Sequence, residues 1–137
     1  MARVKKQKRY PSCYDSKFEY DLHRTVLKKF RLHPAKVNYY VEKQYTPDFE
    51  LKSKNLLIEV KGRFRDSAEA SKYVWVRKAM LENNDDRELV FIFQDPNKPM
   101  PRARARKDGT KFSHGEWAEK NNFKYFSPIQ FEEYLND

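Results

Sequence analysis

An α/β domain with a mixed central sheet, flanked by helices on both faces, is the fold this sequence predicts, and three observations point to it. Residues 55–60 (NLLIEV) and 89–93 (LVFIF) are short, strongly apolar runs with the length and composition of buried central strands. Segments of helical periodicity lie before, between and after them, so helices are available to cover the sheet. The 137 residues amount to one ordinary domain, and two Trp, nine Tyr and ten Phe are too many aromatics for a disordered tail.

Taken in order, residues 15–32 read as a first helix. Phe18, Leu22, Val26 and Phe30 recur at intervals of four, Leu27 supports them, and together they predict one buried stripe that Pro34 ends. Residues 16–19 (SKFE) fit a capping box, in which the Glu19 side chain satisfies the Ser16 backbone N–H. Residues 36–45 (KVNYYVEKQY) are rich in strand formers; Pro47 interrupts, and 48–51 can resume extended structure. The run 55–60 follows as a central strand closed by Gly62. Residues 66–82 predict a second helix with Ala70, Tyr73, Val74, Arg77 and Leu81 close to one face, ended by the polar run at 83–86. After the strand at 89–93 comes a Pro-flanked basic loop. A short helix over 113–120, a strand at 123–126 and a last helix after Pro128 complete the chain. Trp75 and Trp117 fall at helical positions that suit packing. His23, His33 and His114 lack the spacing of a metal site, and only His114 stands beside the basic loop.

The net charge of +9 is confined to two segments. Arg3, Lys5, Lys6, Lys8 and Arg9 lie in the first ten residues without an acid, and Arg102, Arg104, Arg106, Lys107 and Lys111 face only Asp108, while the remainder balances. A basic arm over 1–12 and a single domain over 13–137 are therefore expected. Two basic clusters on a neutral body read as elements that contact phosphates of a nucleic acid, or as segments kept for solubility. Neither cluster has the apolar face that membrane anchoring needs, no apolar run reaches membrane-spanning length, and no apolar stretch follows the basic start. The single cysteine, Cys13, excludes an internal disulfide and suits a reducing cytoplasm.

The residues that carry chemistry are Pro47-Asp48 and Glu59-Val60-Lys61. Alternation along a strand puts Glu59 and Lys61 on one face and Ile58 and Val60 on the other. Beside an apolar run, such charges are expensive unless they are paired or bind a metal. A hairpin would bring Asp48 to the neighbouring strand, and two converging carboxylates suit a hard divalent cation such as Mg²⁺. A lysine beside it equips metal-assisted hydrolysis of a phosphodiester. The alternative from the residues alone is a surface pair at a strand end with Pro47-Asp48 as a turn.

These residues match the PD-(D/E)xK nuclease signature. In order along the chain, 45–49 (YTPDF), 59–62 (EVKG), 113–117 (SHGEW) and Glu119-Lys120 resemble the phage endonuclease I family of Holliday-junction resolvases. The resemblance implies a restriction-endonuclease-like fold and a phage-encoded, structure-selective endonuclease that cuts branched double-stranded DNA with Mg²⁺ or Mn²⁺ in the host cytoplasm. It further implies Asp48, Glu59 and the Val60 carbonyl as metal ligands, Lys61 serving the attacking water, and Glu19 as an additional metal-site carboxylate. In the family, Glu19's counterpart serves the partner's site in a homodimer that exchanges segments. The stretch between Glu19 and Asp48 is shorter than the family's usual bridge, which leaves an arrangement within one chain open.

Arg63 and Arg65 continue from Lys61 and either grip phosphates or solvate a loop. Lys72, Arg77 and Lys78 read as a solvated helix face. The arm and the basic loop suit contacts that position DNA without reading bases. Competing functions are a mismatch-directed or nick-directed nuclease, a restriction-type enzyme, and a non-catalytic basic DNA-binding protein whose acids form only salt bridges.

Overall fold

The computed structural model describes residues 9–137, which divide into two compact units, one running to Glu42 and one over Lys43–Asp137. The basic arm's Arg3, Lys5, Lys6 and Lys8 lie outside the described residues, and Arg9 is exposed.

The first unit carries one regular element, α1 (Lys17–Arg24). Ser16 caps it by accepting from the Glu19 N–H at 3.0 Å. The reciprocal bond is shifted by one residue from the expected box, because Glu19 Oε1 accepts from the N–H of Asp15 rather than that of Ser16. The helix stops eight residues before the expected end near Leu32. Thr25 is β-branched and its hydroxyl donates to the Asp21 carbonyl four residues back (2.8 Å), a local bond that competes with helix continuation. The predicted buried stripe is not buried. Phe18, Val26 and Phe30 are exposed, Leu22 is half-buried, and no described residue of this unit is fully buried. A single short helix has no second layer within its unit to cover an apolar face. Residues 36–45 form no strand either: Val37, Tyr39, Tyr40 and Val41 are exposed, because strand formers need a neighbouring strand to complete a ladder.

The second unit is an α/β domain around a four-stranded mixed sheet. Its strands are β1 (Phe49–Leu51), β2 (Leu56–Lys61), β3 (Glu88–Phe93) and β4 (Tyr125–Phe126), in spatial order β1-β2-β3-β4. β1 runs antiparallel to β2 through a 3-10 turn over Lys52–Lys54 and the left-handed Asn55, and the other two pairings are parallel. The β2–β3 crossover is α2 (Ser67–Glu82), started by the Asp66 side chain accepting from the Glu69 N–H at 2.8 Å. α3 (His114–Lys120) precedes β4, and α4 (Pro128–Leu135) closes the chain with Pro128 at its first position and a Ser127–Gln130 capping box.

Period-two alternation separates two cores. Leu57, Leu89, Phe91 and Phe93 pack with Ala70 and Tyr73 of α2 and Trp117 and Ala118 of α3, while Leu56, Ile58 and Val90 face Phe131 and Tyr134 of α4. The buried face of α2 is rotated from the expected one. Ala70 and Tyr73 are buried and Val76, Arg77 and Met80 half-buried, whereas Val74 and Leu81 are exposed. Arg77 is no solvated residue: it donates to the Asn121 and Asn122 carbonyls and lies over the Phe123 ring, tying α2 to the turn after α3. Trp75, expected to pack, is 65% exposed, while Trp117 is buried. Phe123 belongs to the core, so β4 is shorter than the expected 123–126. Among the described residues no helix is long and apolar enough to cross a membrane.

Candidate functional site

The β1–β2 hairpin supplies the first part of the site. Lys61 at the end of β2 accepts from the Gln94 N–H and Asn55, just before the strand, from the Glu88 N–H, each at 3.0 Å, so odd-numbered residues of β2 turn their backbone groups toward β3 and even-numbered ones toward β1. Val60 accordingly faces β1. Extending the pair Phe49↔Ile58 by two residues sets Pro47 opposite Val60. Proline has no N–H to give the Val60 carbonyl, and the Val60 N–H is taken by Asp48 Oδ2 at 2.9 Å. The Pro-Asp pair therefore ends the ladder, leaves a backbone carbonyl at the strand edge, and fixes a carboxylate beside it. Asp48 Oδ1 has no hydrogen-bond partner among the described residues.

Glu59 and Lys61 share the face of β2 that looks toward α2, as alternation predicts. Glu59 is only 4% exposed, deeper than a strand-edge position suggests. Its Oε2 accepts from the Tyr45 hydroxyl and its Oε1 from the Tyr73 hydroxyl at 2.8 Å. Lys61 Nζ stands 3.4 Å from Glu59 Oε1 and 3.1 Å from Glu69 Oε1. Lys72 Nζ lies over both tyrosine rings. Burial pushes the Tyr73 phenol up to about 12, with the Glu59 bond adding to it and Lys61 opposing. Burial also raises Tyr45, helped by the bond to Glu59 and by the charge of Asp48, which places both carboxylates around one phenol. Both hydroxyls thus remain donors at neutral pH. Burial acts to lower the Lys61 pKa, but hydrogen bonds to Tyr73 and Glu69 outweigh it and hold the ammonium above the usual lysine value.

The oxygen donors here are the unpartnered Asp48 Oδ1 and the Val60 carbonyl at the strand edge and, from the neighbouring residue of β2, the buried Glu59 carboxylate. That chemistry fits a hard divalent cation that keeps several waters, with the tyrosine hydroxyls orienting the carboxylate from behind. Glu19 belongs to the other unit, where its partners are Asp15, Ser16 and His33. Asp15, Glu19 and His33 form the one group of three metal-ligating side chains with ligand atoms within 4.8 Å of one another among the described residues. His33 Nε2 lies 2.8 Å from Glu19 and 3.4 Å from Asp15, which accounts for the grouping as contacts among the three side chains.

The basic loop is an ordered, hairpin-like excursion. Pro99 and Ser113 form an antiparallel bridge, the Met100 N–H donates to the Phe112 carbonyl at 2.8 Å, and the tip closes through Arg106 and Thr110 around Gly109 at φ 86°. Met100 and Phe112 anchor it to the core. Arg102, Arg104, Lys107 and Lys111 are exposed. Arg106 differs, being paired with Glu116 at 2.5 Å. Arg63 is exposed, and Arg65 approaches Asp66 at 3.6 Å and Glu69 at 3.9 Å with its side chain 80% exposed.

His114 is a structural histidine. It is 1% exposed, stacks on Phe64 at 5.0 Å, accepts from the Phe64 N–H at Nε2 (2.9 Å), and bonds the Lys98 carbonyl through Nδ1 (2.8 Å). This tautomer joins the segment after β2 to the base of the basic loop. Gly115 follows because a Cβ there would meet the Tyr125 ring at 3.0 Å.

Sequence reasoning missed Tyr45, Tyr73 and Glu69. Glu69 and Tyr73 are four apart and share a helix face, which was a usable signal, but Glu69 also completes the Asp66 helix-start pattern, which conceals it. No protein-family model matches the chain, and a search of curated proteins finds no relative.

Proposed function

We propose that the chain is a metal-dependent endodeoxyribonuclease with a restriction-endonuclease-like fold, a Holliday-junction resolvase or debranching nuclease acting on branched double-stranded DNA. The observation that carries this reading is the end of the β1–β2 ladder, where Pro47 frees the Val60 carbonyl and Asp48 is held beside it, next to the Glu59–Lys61 face. Asp48, Glu59 and the Val60 carbonyl would hold Mg²⁺ or Mn²⁺, which supplies charge neutralisation at the phosphate and an activated water. Lys61 directs positive charge at the attacked phosphate and orients the water. Arg102, Arg104, Lys107 and Lys111, with Arg9, Arg63, Arg65 and the arm, position the backbone without reading sequence. The exposed apolar residues Phe18, Val26, Phe30 and those of 37–41 fit a segment that a second copy covers, which supports a homodimer; a role for Glu19 as a metal-site carboxylate rests on the family resemblance alone. A cytoplasmic protein with a free, exposed Cys13 is consistent with this setting.

A second reading has one observation in its favour. Each Glu59 oxygen already accepts from a tyrosine hydroxyl, Tyr45 or Tyr73, as expected of a DNA-binding protein whose acids only form internal bonds.

Single-turnover cleavage of an immobile four-way junction, beside a linear duplex of the same arms, separates the readings. With Mg²⁺, paired nicks near the branch are expected, absent with EDTA, in Asp48→Ala and in Lys61→Ala, while junction binding persists. Equal cutting of both DNAs would discard the junction preference. Robust turnover by Lys61→Ala, or no cutting by the wild type, would overturn the assignment.

A further inference from the structure

We propose that Glu69 is a positioning residue of this site: by drawing the Lys61 ammonium toward α2 it keeps that ammonium from closing on Glu59, and so leaves the Glu59 carboxylate available to a divalent cation. The inference rests on the reading of Asp48 and Glu59 as cation ligands.

Lys61 and Glu59 lie two residues apart on one strand face, where Tyr73 of α2 bonds Glu59 and Glu69 of α2 pairs with Lys61. Lys61 Nζ is nearer to Glu69 Oε1 (3.1 Å) than to Glu59 Oε1 (3.4 Å). An ammonium and a metal ion compete for the same carboxylate lone pairs, and burial strengthens whichever pair forms. Glu59 Oε1 already accepts from Tyr73, so a lysine closing on that oxygen would use what capacity is left. Glu69 is suited to hold Lys61 away. Its side chain is 15% exposed, and its other nearby cation, Arg65, is 3.9 Å off and largely in solvent. Its place at the start of α2 is fixed through its backbone, whose N–H bonds Asp66, so replacing the side chain leaves the helix cap intact. Glu69→Gln keeps the shape and removes the charge that holds Lys61.

The test is Mn²⁺ binding to the metal-free full chain, read by electron paramagnetic resonance and calorimetry, for wild type, Glu69→Gln, Lys61→Ala and the double variant, with Asp48→Ala defining the site. Wild type should bind Mn²⁺ in an Asp48-dependent manner, and Glu69→Gln should weaken binding about tenfold, the scale on which outer partners tune a metal site. In the Lys61→Ala background the same change should alter affinity less than about twofold, because the competing ammonium is gone. Glu69→Ala should repeat the pattern. Unchanged affinity in Glu69→Gln overturns the proposal. So does an equal loss in both backgrounds, which would mean that Glu69 acts through its own charge or through the fold. Wild-type binding indifferent to Asp48→Ala would overturn the underlying ligand assignment as well, a result distinct from either.

Discussion

Tyr73→Phe isolates how the domain tolerates a carboxylate buried in its core. The hydroxyl donates to Glu59 Oε1 at 2.8 Å, and Tyr73 is 1% exposed, so no solvent replaces the missing bond. A hydrogen bond to a charged group is worth about 1.5–3 kcal/mol net. Phenylalanine keeps the ring contacts with Tyr45, Phe64 and Phe91, so no cavity term adds to this. Lys61, 3.4 Å from the same oxygen, can close and recover part of it, which sets the expected loss near the lower end, about 1.5–2 kcal/mol. Urea unfolding followed by far-UV circular dichroism should show a lower midpoint with an unchanged slope. The pH dependence supplies an independent check. Tyr73 is pushed from 10.0 up to about 12 in the folded protein, so the folded state retains a proton that the unfolded state loses. The stability linked to this group is complete below pH 10 and is lost as pH rises toward 12. The variant should therefore lose stability less steeply over that window. A destabilisation under about 0.5 kcal/mol, the usual range for surface substitutions, together with an unaltered alkaline profile, would refute the picture of Glu59 held in the core by this hydroxyl.

Two further outcomes follow from the same structure. Burial holds His114 below its ordinary 6.5, so the folded state binds fewer protons than the unfolded one; its stability contribution is present above pH 6.5 and declines as pH falls. An imidazole titration by NMR should place the His114 midpoint below that of a free histidine, and a midpoint at or above it would contradict the burial of the ring and the bond from the Phe64 N–H to Nε2. Replacing Arg102, Arg104, Lys107 and Lys111 with alanine should leave the unfolding midpoint unchanged and flatten the salt dependence of DNA binding by about 0.9 in log–log slope for each phosphate that the loop no longer neutralises. Unaltered slope would remove the loop from the DNA-binding surface.

Much of the second unit follows from local pattern. β2 and β3 are strands because Leu56, Leu57 and Ile58, and Leu89, Val90 and Phe91, place apolar side chains on both faces, and Asp66, Ser113 and Ser127 start helices because their side chains accept from N–H groups three residues on. The shared face of Glu59 and Lys61 needs only the two-residue repeat of a strand. Charge location, too, is a property of composition alone.

Other features depend on partners distant in sequence. Residues 36–45 have strand-forming side chains and no strand, and α1 has an apolar stripe and nothing within its unit to bury it, since propensity becomes structure only when a second layer or ladder is present. The exposed Trp75 and the half-buried Arg77 show that the rotation of α2 is decided by what packs beneath it. At the site, the sequence determined the strand that carries Glu59 and Lys61 and the proline that interrupts its ladder. Tertiary structure alone decided how the buried Glu59 is made tolerable, because Tyr45 and Tyr73 come to it from a loop and a helix. Burial of a charge is a demand that the strand creates and that only the surrounding fold can meet.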